Sequence, residues 1–294
     1  MNSEKLAYMT AEKTTMKTVL ITGTSTGIGK ACALYLDQLG YRVFAGVRKP
    51  VDGEALQKIA SDRLTPVRLD VTDEGSIASA RELIASEVGV NGLFGLVNNA
   101  GFGLAGPIEF QPLEDFRQQM EVNFIGVVAM TKAFIPLLRQ SRGRIVNIGS
   151  ISGINAMPFQ SAYCATKFAL EAFSDALRLE LRPWDISVSI VQPGDIETPA
   201  WKKGLTAADK MLTTWPPEAF ALYGPIVEMM KKMAQVERGL PADEVAKVVA
   251  QLLSESTPRT RVLVGTDAKL LAFIESLPTP LRDWLIFRQL PKYG

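Results

Sequence analysis

Histidine is absent from the 294 residues. That removes the side chain most often used for proton transfer near neutral pH, and with it Ser-His-Asp triads, His-paired cysteines and the usual zinc sites. Hydrolase readings lose most of their support, and no metal is expected. Cysteine is scarce: Cys32 and Cys164 lie in helical patterns without metal-ligand or redox spacing, which fits a reduced, cytoplasmic chain. No stretch approaches about 18 uncharged apolar residues, and "MNSEKLAYMTAEKTTMK" carries acids and no apolar run of signal-peptide length. A chain neither secreted nor membrane-spanning is expected. Charge of one sign is also lacking, since 32 Lys and Arg face 31 Asp and Glu for a net +1, and no basic stripe is interleaved with aromatics. Nucleic acid is therefore not an expected partner. What is present, 47% hydrophobic and 21% charged residues, is enough to bury a large core.

The apolar residues alternate between two periods. "TVLITG" is a short β-branched run ending in glycine, and "KACALYLDQLG" follows with helical spacing. Strands are then expected at "YRVFAGV", "LTPVRLDV", "GLFGLVNNAG", "GRIVNIGS" and "ISVSIVQPG". Helices are expected at "EALQKIA", "SIASARELIASEV", about Leu113 to Arg139, and "SAYCATKFALEAFSDALRLEL". Nearly all-apolar strands separated by helices predict an α/β, doubly wound fold of a single domain, its parallel sheet covered by helices on both faces. A ligand crevice then lies at the carboxyl ends of the strands. Residues 1–16 read as a flexible tail and 17–294 as the domain, with no linker that divides it.

The first strand ends in "TGTSTGIG", placing Gly23, Gly27 and Gly29 at a strand-to-helix turn. Residues without Cβ let a backbone approach a pyrophosphate, and a helix amino terminus offers free N–H groups. A tight turn with close helix packing needs the same glycines. About 20 residues further on, where an acid would bind the ribose 2′-hydroxyl of NAD, "GVRKP" has Arg48 and Lys49 and no acid until Asp52. Cations there favour a 2′-phosphate, so NADP(H) is preferred and NAD(H) is not excluded; a solvated basic loop is the plainer alternative.

In "SAYCATKFAL", Tyr163 and Lys167 are four apart, hence neighbours on one helical face. An ammonium beside a phenol favours phenolate, and a fall of roughly three units from the reference near ~10, about 4 kcal/mol, supplied by the lysine together with a cationic nicotinamide, would let Tyr163 exchange protons near neutral pH. Taken alone, the pair is as readily a half-buried tyrosine with an exposed lysine. Its context includes Ser150, which closes the strand "RIVNIGS" and puts a hydroxyl at the same sheet edge.

In that order and spacing, "TGTSTGIG", "NNAG", "NIGS", "YCATK" and "PGDIET" resemble the short-chain dehydrogenase/reductase family, in its single-domain Rossmann form. The match is dense from Lys17 to Thr198. The resemblance implies a pyrophosphate turn at Thr22, Gly23, Gly27, Ile28 and Gly29, and an adenine-binding pair at Asp70 and Val71. It implies that Asn98, Asn99, Ala100 and Gly101 support the central sheet and line the cofactor ribose. Ser150, Tyr163 and Lys167 match the catalytic triad, with Lys167 also on the ribose, and Asn123 matches a fourth member that holds a water linking the lysine to solvent. Pro193, Gly194, Ile196 and Thr198 match the segment orienting the nicotinamide. Thr26 stands where many NADP-dependent relatives are basic, so a 2′-phosphate would rest on Arg48, helped by Thr24, Ser25 or Lys49.

The reaction implied is hydride transfer between nicotinamide and a carbonyl or alcohol carbon, with Tyr163 as general acid/base. Residues 198–240 read as a substrate lid rich in Trp201, Met211, Trp215, Phe220, Tyr223 and Met229. With Phe102, Leu104, Met157 and Phe159 beside the motifs, they favour a bulky apolar substrate, steroid-, retinoid- or ketone-like, and the nearest branch by resemblance is that of hydroxysteroid and retinol dehydrogenases. At 277–294 an amphipathic segment could touch a membrane surface or a partner subunit, or cover the substrate mouth. The resemblance also implies a homodimer or homotetramer. Two other classes compete: a non-catalytic NADP(H)-binding sensor or scaffold, and a nucleotide-sugar epimerase or dehydratase. The intact Ser150, Tyr163 and Lys167 count against the first, and the glycine spacing with no large sugar domain counts against the second.

Overall fold

A computed structural model of the chain describes residues 16–198, 212–213, 215–235 and 239–288. Six parallel strands stand where the apolar runs predict them: β1 (Thr18–Ile21), β2 (Arg42–Val47), β3 (Leu64–Arg68), β4 (Gly95–Asn98), β5 (Arg144–Ile148) and β6 (Ser187–Pro193). A two-residue ladder joins β7 (Ile196–Glu197) to β8 (Leu240–Pro241), and β9 (Arg261–Val264) completes a seven-stranded sheet in the order β3-β2-β1-β4-β5-β6-β9. Between them run α1 (Gly27–Gln38), α2 (Pro50–Gln57), α3 (Glu74–Val88), α4 (Leu113–Met120), α5 (Gly126–Ser141), α6 (Ser161–Leu181), α7 (Pro217–Gln235), α8 (Ala242–Ser254), α9 (Thr266–Glu275) and α10 (Thr279–Phe287).

Alternation along each strand divides the core. Val19 and Ile21 enter one apolar layer with Cys32, Leu36, Val249 and Leu253 of α1 and α8, whereas Leu20 enters the other with Ile84, Phe134 and Leu177 of α3, α5 and α6. Each such side chain contributes about 1.5–3 kcal/mol by leaving water. Contrary to the expectation of no such segment, the continuous helical run Leu113–Ser141 is long and apolar enough to cross a bilayer, with mean hydropathy 1.5 in its window. Its residues Met130, Phe134 and Leu138 pack on the sheet as those of a core helix do.

The reversal of strand order falls between β1 and β4, which opens a crevice at their carboxyl ends. Capping differs around it. Asp73 caps α3 by accepting from the N–H groups of Gly75 (2.8 Å) and Ser76 (3.2 Å), but Thr26 makes no side-chain cap for α1. The first-turn N–H groups of α1 thus face the crevice without a side-chain cap.

Candidate active site

The glycine turn is braced from the side. Thr22 Oγ1 accepts from the backbone N–H of Asn99 and of Ala100, each at 2.9 Å, while Asn99 Nδ2 donates to the carbonyls of Thr22 (2.9 Å) and Gly23 (3.0 Å). A Cβ on Gly29 would collide with the Gly23 carbonyl and the Asn99 amide, and Gly23, at φ +70, would push a Cβ to 2.8 Å from Ala100 Cα. The space those groups leave is the kind of cradle a pyrophosphate needs. Thr198 comes round to the same place, its side chain 3.2 Å from where a Gly27 Cβ would stand. Gly194 leaves no room for a Cβ against the Asp267 carboxylate, which also accepts from the Asp195 N–H at 2.6 Å.

Two expected cofactor contacts are corrected. Asn98 is turned into the core, where its amide donates to Asn147 Oδ1 (2.9 Å) and Thr131 Oγ1 (3.3 Å) and Asn147 passes on to Ser174 Oγ (2.9 Å); its side chain ties β4 to β5 and α6, the sheet-supporting part of the expectation, and is not turned to the crevice. Thr24 is buried and its one hydroxyl proton goes to the Gly46 carbonyl at 3.0 Å, so it has none left for a phosphate. Arg48 is exposed at the end of β2, with Lys49 beside it, and among the described residues neither takes part in an ion pair. Asp70 holds Thr72 through one carboxylate oxygen, at 3.0 Å to N and 2.8 Å to Oγ1, and the buried Val71 backs onto Gly126.

Ser150 ends β5, and its Oγ accepts from Ser152 N–H at 3.1 Å, opening a 3-10 turn at Ile151–Gly153. Tyr163, half-buried on the first turn of α6, lies in hydrogen-bonding range of that hydroxyl. Lys167 is 6% exposed, which removes the plain reading of a solvated lysine; its Nζ donates to the Ile148 carbonyl at 2.8 Å and stands 5.7 Å from the Tyr163 ring centroid. Asn123 sits on a π-helical turn (Glu121–Ile125) between α4 and α5, a geometry frequent at functional sites. Its Oδ1 accepts from Phe102 N–H (2.9 Å), and its amide donates to the Phe102 carbonyl (2.7 Å) and to Thr166 Oγ1 (3.2 Å). Both amide protons are engaged, so the side chain fastens loop 101–103 to α6.

Over this edge lies an aromatic group. Phe159, at φ +65, stacks edge-on against Tyr223 with centroids 6.3 Å apart; Tyr223 meets Phe110 (5.8 Å), and Phe110 meets Trp215 (5.8 Å). Leu104 N–H donates to Gln119 Oε1 at 2.9 Å, Gly106 N–H to the Phe159 carbonyl at 2.7 Å, and a Cβ on Gly103 would lie 3.1 Å from the Tyr163 ring. The loop after β4 therefore runs from the tyrosine to the Phe159 turn. Met157 is half-buried in the loop between Ser150 and Tyr163. Trp201 and Met211, and the side chain of Met229, lie outside the described residues.

Comparison with known proteins decides the family. A family model described as short chain dehydrogenase matches residues 17–208. Human retinol dehydrogenase 5 is 41% identical over 93% of this chain and 89% of its own length, and human 17-beta-hydroxysteroid dehydrogenase type 6 is 37% identical over 94% and 89%. The chain belongs to the short-chain dehydrogenase family. Among solved structures, this dehydrogenase superposes on a short-chain dehydrogenase from Streptomyces avermitilis with TM-score 0.75 at 26% identity, covering 94% of this chain and 98% of that one. One from Burkholderia cenocepacia, in complex with NADP, gives TM-score 0.71 at 26% identity with the same coverage.

Electrostatics of the dehydrogenase site departs from the simple lysine-tyrosine expectation. Burial pushes the Tyr163 phenol above its ordinary value, and the Ser150 hydrogen bond only partly offsets this. Burial also draws Lys167 down to about 8, opposed by the negative charge of Glu171. Within the protein's own groups the tyrosine is thus a held proton donor, not a preformed phenolate. Residues of this edge that the motifs do not mark are Glu171, Asp267 and Phe110. The first was legible as an acid one turn beyond Lys167; the other two depend on contacts distant in sequence.

Proposed function

We propose that this short-chain dehydrogenase is an NADP(H)-preferring oxidoreductase that interconverts a bulky apolar alcohol and its carbonyl. The observation that carries the reading is the meeting of Ser150, Tyr163 and Lys167 at the end of β5 beneath the Phe159–Tyr223–Phe110–Trp215 wall. The glycine cradle and the uncapped start of α1 would hold a pyrophosphate, Asp70 the adenine edge, Arg48 a 2′-phosphate, and Thr198 and Lys167 the nicotinamide half. When bound, the nicotinamide supplies or accepts hydride. Tyr163 gives its proton to the developing alkoxide or takes one from an alcohol, Ser150 holds the same oxygen, and Lys167 stabilises phenolate in the transition state. With burial pushing its pKa up, Tyr163 is in the phenol form near neutral pH, the form that carbonyl reduction uses.

Substrate class is supported by what the wall leaves unmatched. Gln111 and Trp215, each 8% exposed, keep the Gln111 amide and the Trp215 indole N–H without a hydrogen-bond partner among the described residues. Buried polar groups of that kind await a water or ligand oxygen, so we favour an apolar molecule with an oxygen remote from the reacting carbon. Retinol and hydroxysteroid dehydrogenases are the named relatives. A cytoplasmic location is supported by two free, buried thiols. Homo-oligomer formation is supported by exposed Ile125, Phe168 and Leu179, and peripheral membrane contact by exposed Leu281, Trp284 and Phe287 on α10. The test follows NADPH and NADH oxidation with steroid, retinoid, aliphatic and small polar carbonyls. Turnover of bulky apolar carbonyls, faster with NADPH, is expected; tight cofactor binding without turnover of any would return the protein to a sensor role.

A further inference from the structure

Lys167 and Glu171 are one turn apart on α6 and nearly fully buried, at 6% and 7% exposure, yet they form no ion pair within 4 Å. Both oxygens of Glu171 are occupied elsewhere. Oε1 accepts from Gln192 Nε2 at 2.8 Å, on β6 just before the Pro193–Gly194 segment, and Oε2 accepts from Arg261 Nε at 2.9 Å, on β9. Arg261 also reaches Asp175 at 2.6 Å. The serine turn closes over the pair: a Cβ on Gly153 would lie 3.0 Å from the Lys167 carbonyl and 3.2 Å from Glu171 Cγ. A buried carboxylate left free beside a buried ammonium would take it in a direct pair. Here a guanidinium and an amide hold it back, and the ammonium goes instead to the Ile148 carbonyl, near Tyr163.

We propose that Glu171, clamped by Arg261 and Gln192, is a positioning residue that supports the charge of Lys167 from a distance while leaving its ammonium free for the tyrosine and the cofactor ribose. This deepens the proposed function and rests on its assignment of Lys167. The titratable groups placed against Lys167 are Tyr163 and Glu171 on its own helix; Arg261 from β9 meets Glu171 and Asp175, while β5 presents the Ile148 carbonyl and the serine turn Gly153. Glu171 is the group whose charge opposes the effect of burial on Lys167. Removing the acid and removing its clamp therefore act in opposite directions.

The experiment titrates the Lys167 ammonium by NMR of full-length, cofactor-free protein labelled with 15N-lysine, assigned with Lys167→Arg, alongside the NADPH dissociation constant from pH 6 to 10. Glu171→Gln should lower the Lys167 midpoint by about one unit, a tenfold loss of proton affinity. The onset of weaker NADPH binding should move to lower pH with it. Arg261→Met, which frees the carboxylate to swing onto Lys167, should raise the midpoint and weaken NADPH binding even at low pH. Glu171→Asp should fall between wild type and Glu171→Gln. Unchanged midpoints, or shifts of one sign in both the acid and the arginine variants, would overturn the proposal in favour of plain packing. If Glu171→Gln does not fold, Arg261→Met and Glu171→Asp decide it. Wild-type protein that binds no nicotinamide would refute the proposed function, while the titration would still judge the clamp.

Discussion

The edge that would do chemistry and the wall that would meet substrate are built differently. At the edge, Thr22, Asn99, Asn123 and Lys167 make directional hydrogen bonds to residues far apart in sequence, several at 2.7–3.0 Å. At the wall, Phe159, Phe110, Trp215 and Tyr223 meet by ring contacts 5.8–6.3 Å between centroids, and Tyr223 OH donates to Glu109 at 3.1 Å. Directional bonds fix atoms within fractions of an ångström, as proton transfer requires; ring contacts fix only an apolar boundary that can repack around different ligands. On the proposed function, reaction class would be set at the edge and substrate range at the wall.

The largest break in that contrast is expected from Tyr163→Phe. Turnover should fall at least ~10²-fold, the usual share of a general acid, with NADPH binding within about twofold by fluorescence titration; near-normal turnover would remove the tyrosine from its role. Arg48→Asp should come next, shifting the kcat/KM ratio from NADPH towards NADH by roughly tenfold or more, the equivalent of about 1.4 kcal/mol for one charge-assisted phosphate contact. Its checks are steady-state rates with both cofactors, and an unmoved ratio would place the phosphate contact elsewhere.

At the wall, Tyr223→Ala should raise KM for a bulky ketone by about tenfold while kcat changes little, because ring burial is binding made equally in ground and transition states. A fall in kcat with KM unchanged would instead make the wall part of the chemical machinery. The pH dependence sharpens the same division. Since burial raises the Tyr163 pKa, alcohol oxidation, which needs phenolate, should climb with pH through the alkaline range, and carbonyl reduction, which needs the phenol, should fall. Parallel profiles in the two directions would contradict this. The smallest effect concerns Cys32, whose thiol burial pushes up to about 12. Its thiolate at pH 8 is roughly one part in ten thousand, so no labelling of Cys32 by a thiol reagent is expected until the protein is unfolded. The same sign means that this group's contribution to stability is full below about 9 and is lost as pH rises towards 12.

Much of this could be read in the residues themselves because the period of a strand or helix is local. Six strands, the glycine turn and the Ser150–Tyr163–Lys167 set follow from runs and spacings a few residues long. Strand β9 escaped because "RVLV" is four residues without a following motif, and its place beside β6 is decided by packing of α8 and α9. Asn98 was misjudged for a related reason: nothing in "NNAG" tells which of two adjacent asparagines turns inward, and the strand alternation sends Asn98 to the core while Asn99 reaches the turn. Spacing reports a charge beside the tyrosine but not its burial, which by itself pushes the phenol up. The substrate wall is the least legible part, since Phe110, Phe159, Trp215 and Tyr223 come from three separate segments joined only in three dimensions.

Strand β9 also imposes an order in time. Arg261 is 90 residues downstream of Glu171, so a ribosome working at about 5–20 residues per second finishes α6 roughly 5–20 s before the arginine that anchors it exists. During that interval the nascent helix carries a lysine and an acid one turn apart with nothing to keep them from each other or from water. If the clamp acts as proposed, the environment of Lys167 is complete only when β9 docks on the sheet edge, and a chain released before that point carries Tyr163 and Lys167 without it.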